Sequence, residues 1–284
     1  MAAVAADEPG VHALPSLSDT APTPQQLRWR NAGLIAGAGL LVGAYGSQKW
    51  WDDGFTGEFR SVSEGWFGPN TPYGGQDKLG HAFFSYVGTR LMTRAFEAVG
   101  NDSAGAVSLG AWSTLGIMTA VEVLDGYSRQ YKFSSEDAIM NVVGAAAGYV
   151  LERNPALDRL LDFRLLYKPS PELKQAGQYD IAGDYSGQTY LLVAKASGVP
   201  ALREHPVLRY FELAVGYGTH GYESAPGQER SRHAYFGVSL NLSEVLRQTA
   251  YRGAAERSPV QRTSEFLFEF LQVPGTTALA DHSF

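Results

Sequence analysis

The sequence predicts an α+β protein: a compact helical bundle rich in small residues, followed by a small antiparallel sheet with short helices. Three observations predict it. Up to about residue 155, apolar residues recur at helical spacing in "DKLGHAFFSYVGTRLMTRAFEAVG", "AGAVSLGAWSTLGIMTAVEVLDG" and "SSEDAIMNVVGAAAGYVLERNP", each closed by glycine or proline. Ala, Gly, Ser and Thr are abundant within them, and such residues let helix backbones approach closely. After Pro155, period-two alternation replaces helical spacing in "LRYFELAVGYGT" and "HAYFGVSLNLSEVLRQ".

Residues 1–26, "MAAVAADEPGVHALPSLSDTAPTPQQ", are too polar to pack. They lack a basic region followed by an apolar stretch, but "AAVAADEP" matches the small-residue end of a cleaved signal, so a flexible exported N-terminus is expected. Residues 27–155 are expected to form the bundle. Its first helix, in "LRWRNAGLIAGAGLLVGAYGSQKWW", has Arg28 and Arg30 before an apolar run from Ala32 to Tyr45, with Trp50 and Trp51 after it. Such flanks suit a membrane interface. The run is shorter than the ~20 apolar residues of a spanning helix, which favours a buried helix of a soluble bundle. Four helices joined by short loops would occupy about Gln26 to Asn154.

Residues 156–284 are expected to pack on the bundle as an α+β region. "ALDRLLDFRLLYKPSPELKQAGQYDIAGDYSG" suggests a connection wrapped over the helices, and "QTYLLVAKASG" is open between a short helix and a strand. Phe211, Leu213, Val215 and Tyr217 alternate with Glu212, Ala214, Gly216 and Gly218; Phe236, Val238, Leu240 and Leu242 alternate likewise. These predict an antiparallel pair joined by the polar loop Gly221 to Arg232. Ser243 suits the cap of a short helix, and "TSEFLFEFLQVPG" offers another before Pro274. A closed single-chain transmembrane barrel needs at least about eight strands, so a small sheet is preferred.

Composition excludes several function classes. Twenty-three Lys and Arg against 29 Asp and Glu give a net charge of −6, so no basic field exists to attract nucleic acid. The absence of cysteine removes disulfides, thiolate metal sites and a thiol nucleophile, and suits an oxidising compartment. There is no G-x-S-x-G elbow, H-E-x-x-H or P-loop, and "GYGTHGYE" lacks the Walker lysine. Any cofactor is left unknown by the sequence. His220 and His233 flank the polar loop, but two scattered histidines seldom hold a metal.

Polar residues nonetheless recur at defined places on the helices. His81, Ser85, Gly88 and Met92 form one stripe, with Asp77 one turn before His81. Glu122 continues the stripe Ala111, Leu115, Met118, where a hydrophobe is expected. Asp137, Asn141, Gly144 and Gly148 fall along one line. Successive antiparallel helices should bring Asp77, His81, Glu122, Asp137 and Asn141 to one end of the bundle. In that arrangement His81 would act as general base or acid, oriented by Asp77 or Glu122, with Asp137 and Asn141 as partners or ligands of a divalent ion. Architecture offers an alternative for each. Asp77 would be an N-cap, "SSED" at Ser134 to Asp137 a capping box, and His81 and Asn141 satisfied core residues. Glu122 is hardest to dismiss, because a buried carboxylate needs a partner such as His81, Lys78 or Arg129.

"DKLGHAFFSY" (77–86), "EVLDGYS" (122–128) and "FSSEDAIMNVVGAAAGYVL" (133–151) resemble the YfiM-like domain of unknown function, a family of predicted periplasmic or outer-membrane lipoproteins. More loosely, the order D-K-x-x-H, E, D-x-x-x-N-x-x-G-x-x-x-G resembles the VanZ-like membrane proteins associated with glycopeptide resistance. The resemblance covers about half the chain, which departs from the lipoprotein pattern in having no lipidation cysteine. It implies the periplasmic side of the cell envelope, a membrane surface or lipid as partner, and no established catalytic residue. Three readings follow, in order of preference: a non-enzymatic envelope protein docked on or partly inserted in a membrane; a hydrolase or transferase acting on a lipid or cell-wall intermediate; and a soluble bundle whose polar residues are purely structural.

Overall fold

The computed structural model describes residues 21–171, 181–222, 229–252 and 258–284. Residues 1–20, most of the expected exported N-terminus, lie outside it. Four long helices come first: α1 (Pro24–Lys49), α2 (Gln76–Ala98), α3 (Ser103–Tyr127) and α4 (Ser135–Arg153). Side-chain caps start three of them. Thr23 and Gln26 form a reciprocal capping box, Asp102 accepts from Gly105 N at 3.0 Å and Ser134 from Asp137 N at 3.3 Å. α2 begins differently, on Gly75 at φ 87°, where a Cβ would strike the backbone of Trp66 and Phe67.

α2, α3 and α4 form the packed core, and the small residues allow its closeness. A Cβ at Gly144 of α4 would fall on the carbonyl of Ala82 in α2, 2.7 Å from its carbon and 2.8 Å from its Cα. α1 departs from the expectation of a buried helix. Gly46 is its one buried residue, while Trp29, Leu40 and Leu41 are 73%, 74% and 75% exposed. Its apolar residues are spread around the helix, so no single stripe exists to bury. It is held mainly at its start, where Arg30 donates to Val99 O at 3.0 Å and Asn31 pairs with Asn101. Nor is the loop that follows short. Residues 50–75 cross the end of the bundle and include β1 (Ser61–Val62), which pairs in parallel with β2 (Phe133–Ser134).

The C-terminal region contains a larger sheet than the expected pair. It consists of β3 (Leu161–Tyr167), β4 (Gln188–Lys195), β5 (Phe211–His220), β6 (Ser231–Leu240), β7 (Leu271–Gln272) and β8 (Thr277–Ser283), in the order β7-β3-β4-β5-β6-β8. All neighbours are antiparallel except β3 and β7. The predicted pair is β5 and β6 within it, with Phe211 opposite Leu240 and Tyr217 opposite Ala234. The ambiguous "QTYLLVAK" is a strand, with Leu191 and Val193 fully buried. The stretch expected only as a wrapping connection contains β3. Among the described residues the region also contains the short helices α5 (Pro155–Leu160), α6 (Pro200–Arg203), α7 (Leu242–Gln248) and α8 (Pro259–Phe270). α7 is capped by Asn241, which accepts from Glu244 N at 2.9 Å, and not by Ser243.

The sheet is strongly curled. The five steps from Gln272 to Thr277 reach at most ~17 Å, whereas the edges of a flat six-stranded sheet lie ~24 Å apart. On the outer face, Phe163 and Tyr190 meet Phe83 of α2 at ring-centroid distances of 5.5 and 5.4 Å, joining sheet and bundle through a core of Phe83, Tyr86, Leu165, Tyr190 and Phe270. The inner face buries Leu191, Val193 and Ala214 beside an ionic network. Arg164 donates to both oxygens of Glu212 at 2.7 and 2.9 Å and pairs with Asp162, which Lys195 also contacts.

Candidate functional site

The crossing segment 50–65 ties the end of the bundle at which α2 starts, α3 ends and α4 starts. Trp51 Nε1 donates to Asp125 Oδ1 at 2.6 Å, and Arg60 donates to the carbonyls of Ser128, Arg129 and Tyr131. Ser63 Oγ and Gly65 N donate to Glu136 at 2.6 and 3.1 Å. This places Glu64 against the first turn of α2.

The centre of the site is Lys78, whose side chain is fully buried. Its Nζ lies 3.0 Å from Asp77 Oδ2, 3.0 Å from Asp137 Oδ1 and also pairs with Glu64. Burial alone would drive the amine toward its neutral form; Asp77, Asp137 and Glu64 more than offset this and keep it charged. Asp77 experiences the reverse. Burial and the neighbouring Asp137 push Asp77 up to about 7 against the pull of Lys78.

One turn further along α2, His81 Nδ1 lies 3.2 Å from Asn141 Oδ1 and 3.4 Å from Glu122 Oε1. Ser85 Oγ donates to the same Asn141 oxygen at 3.0 Å. Glu122 is 1% exposed. Burial first, then the charges of Asp137 and Asp125, push its carboxyl up to about 9, even though Ser134 N donates to it at 3.3 Å. Asp77 Oδ1 and Asn141 Nδ2 are among the buried polar atoms with no hydrogen-bond partner in the described residues.

The five residues expected at one end of the bundle thus converge there, with two corrections to their roles. Asp77 is not an N-cap, since Gly75 holds that position and the Asp77 carboxylate goes to Lys78. It therefore does not orient His81; Glu122 and Asn141 do. The "SSED" box is half formed: Ser134 caps the helix, but Asp137 turns to Lys78 instead of back to the cap. Arg129 is not the partner of Glu122 and donates instead to Phe55 O at 3.4 Å. Sequence reasoning missed Glu64, Trp51 and Asp125. Asp125 had a signal, lying three residues after Glu122 on the same helical face, whereas Glu64 sits in an aperiodic loop. His220 and His233 do meet, ring centroids 4.9 Å apart, and His233 is held by Asp281 and Ser231, each at 2.8 Å.

A buried ammonium ringed by carboxylates lies at one end of a bundle that exposes Leu91, Trp112, Ile139, Val142, Val143 and Val150. Its sequence points to a cell-envelope class. Residues 63–153, which hold the cluster from Glu64 to Asn141, match the family described as "Predicted periplasmic lipoprotein (DUF2279)", a description that supports a periplasmic, membrane-associated location. No curated protein and no solved structure matches the chain.

Proposed function

We propose that this is a cell-envelope protein whose bundle docks its apolar outer surface on a membrane while the Lys78–His81 cluster faces the aqueous side. The observation that carries this reading is an inversion of polarity. α2 buries Asp77, Lys78, Ser85, Thr89, Arg90 and Thr93, and α4 buries Glu136, Asp137 and Asn141, while Leu91, Trp112, Ile139, Val142, Val143 and Val150 face outward. An aqueous bundle would have the opposite pattern, and a contiguous exposed apolar surface marks an interaction site. Among the described residues α3 is the one helix long and apolar enough to cross a membrane. Leu213 and Phe236 of the sheet are exposed as well. The family description, a predicted periplasmic lipoprotein, favours a membrane as the occupant. Co-sedimentation of the full chain with vesicles of mixed zwitterionic and anionic phospholipid tests the proposal. The protein should pellet with the vesicles, and Val142→Asp with Val143→Asp should release it. Recovery of the wild type in the supernatant would overturn the reading.

A second reading, a hydrolase or transferase acting on a lipid or cell-wall intermediate, is favoured by the engagement of His81 through Nδ1, which leaves Nε2 for proton transfer. Complementation of a deletion strain by a folded His81→Ala variant would eliminate it.

A further inference from the structure

Two triads of potential ligand atoms share Asp137. In one, Glu64, Asp77 and Asp137 surround the Lys78 ammonium, so the chain supplies that cation itself. In the other, His81, Glu122 and Asp137 bring their ligand atoms within 4.8 Å of one another. No lysine or arginine among the described residues pairs with Glu122 there. A buried carboxylate lacking a cationic partner is costly.

Geometry and an orphaned group specify what would compensate. His81 Nδ1 stands 3.2 Å from Asn141 Oδ1 and 3.4 Å from Glu122 Oε1. Ligand atoms held at ~2.0–2.1 Å around a tetrahedral ion are ~3.3 Å apart. Asn141 is 1% exposed, touches the His81 ring, and keeps Nδ2 without a partner. Were its amide turned over, Oδ1 would be the orphan instead, so either orientation leaves a buried polar atom for a ligand to satisfy. We propose that His81, Glu122, Asp137 and Asn141 bind one divalent transition-metal ion. Imidazole with carboxylate and amide oxygens suits Zn²⁺, Mn²⁺ or Co²⁺. The ion would supply the cationic partner that the buried Glu122 carboxylate lacks. Partial exposure of His81, at 21% of its side chain, gives the ion an entry path. This site does not depend on the membrane reading, because soluble and docked forms present the same four residues.

The test uses the purified full chain, treated with chelator, loaded with Zn²⁺ and desalted. One equivalent of zinc should remain by elemental analysis, and Co²⁺ loading should give the visible absorption of a nitrogen- and oxygen-ligated ion. Glu122→Gln, which keeps size and fold, and His81→Ala should weaken retention at least ~100-fold, while Asn141→Asp should tighten it. His233→Ala, at the other histidine pair, should leave it unchanged. Zinc lost from the folded wild type, or zinc indifferent to Glu122→Gln, would overturn the proposal. So would retention abolished by His233→Ala. If His81→Ala fails to fold, the wild-type cobalt spectrum and the Glu122→Gln and Asn141→Asp pair still decide.

Discussion

Replacing Gly144 by alanine adds one methyl group at the closest point between α2 and α4. The new Cβ would overlap the Ala82 carbonyl oxygen and lie 2.7 Å from its carbon. Ordinary carbon contacts begin near ~3.5 Å, so the helices must part by about 0.8 Å, and more to clear the oxygen. Backbone cannot rotate aside as a side chain would. The same seam carries Lys78–Asp137 at 3.0 Å, His81–Asn141 at 3.2 Å and Ser85–Asn141 at 3.0 Å. Each would be stretched toward ~4 Å, beyond hydrogen-bond reach. Overpacking costs about 1–3 kcal/mol, and weakening buried polar contacts adds to it, so a loss of about 3 kcal/mol is expected. For a chain of this size that is ~6–12 °C in Tm. Gly116 provides the control, because a Cβ there meets nothing within 4 Å in an exposed helical position. Gly116→Ala should gain about 0.5–1 kcal/mol. Thermal melts followed by circular dichroism compare the two. A Gly144→Ala protein melting within a degree of wild type would refute the argument that backbone contact at Ala82 sets the helix spacing.

Lys78→Met should cost about 3–5 kcal/mol, since it strands Asp77, Asp137 and Glu64 without their cation. Asp77, raised to about 7 even with Lys78 pulling it down, loses that pull and is relieved by protonation, so the deficit should shrink on acidification; denaturant titrations in chelator at pH 7.5 and 5.5 would show a constant deficit if the reasoning fails. Asp125 offers a separate pH test. Burial pushes it up to about 6, against the hydrogen bond from Trp51 and the influence of His81. A raised folded pKa means stability fully present below about 4 and lost as pH rises through 6, by at most about 3 kcal/mol. Asp125→Asn keeps an acceptor for Trp51 and should flatten the Tm profile between those values. An unchanged slope would exclude Asp125 as its source.

The helical half of the fold was legible because its signals are local. Small-residue helices ending at glycine or proline announce themselves, and four-residue spacing placed Asp137, Asn141, Gly144 and Gly148 on one line that does face α2. The convergence of His81 and Glu122 followed from antiparallel alternation alone. β3 was not legible, because its inward positions carry Asp162 and Arg164, whose burial depends on Glu212 and Lys195 far along the chain. β7 and β8 are short and gain their identity only from the edges they join. α1 misled for the opposite reason: its composition suits a buried helix, but burial requires a stripe and a partner surface, and neither is present.

The two edges of the curled sheet are closed by one stretch of chain. β7 lies along β3 and β8 along β6, with residues 273–276 between them. During synthesis α2, α3 and α4 can assemble from contacts close in sequence, as can the hairpin of β5 and β6. Strands β3 and β6, however, keep unpaired backbone groups until residues 271–284 have emerged, and such edges invite pairing with other chains. Protection of both edges therefore waits for residues 271–284, which are made after the four strands they close.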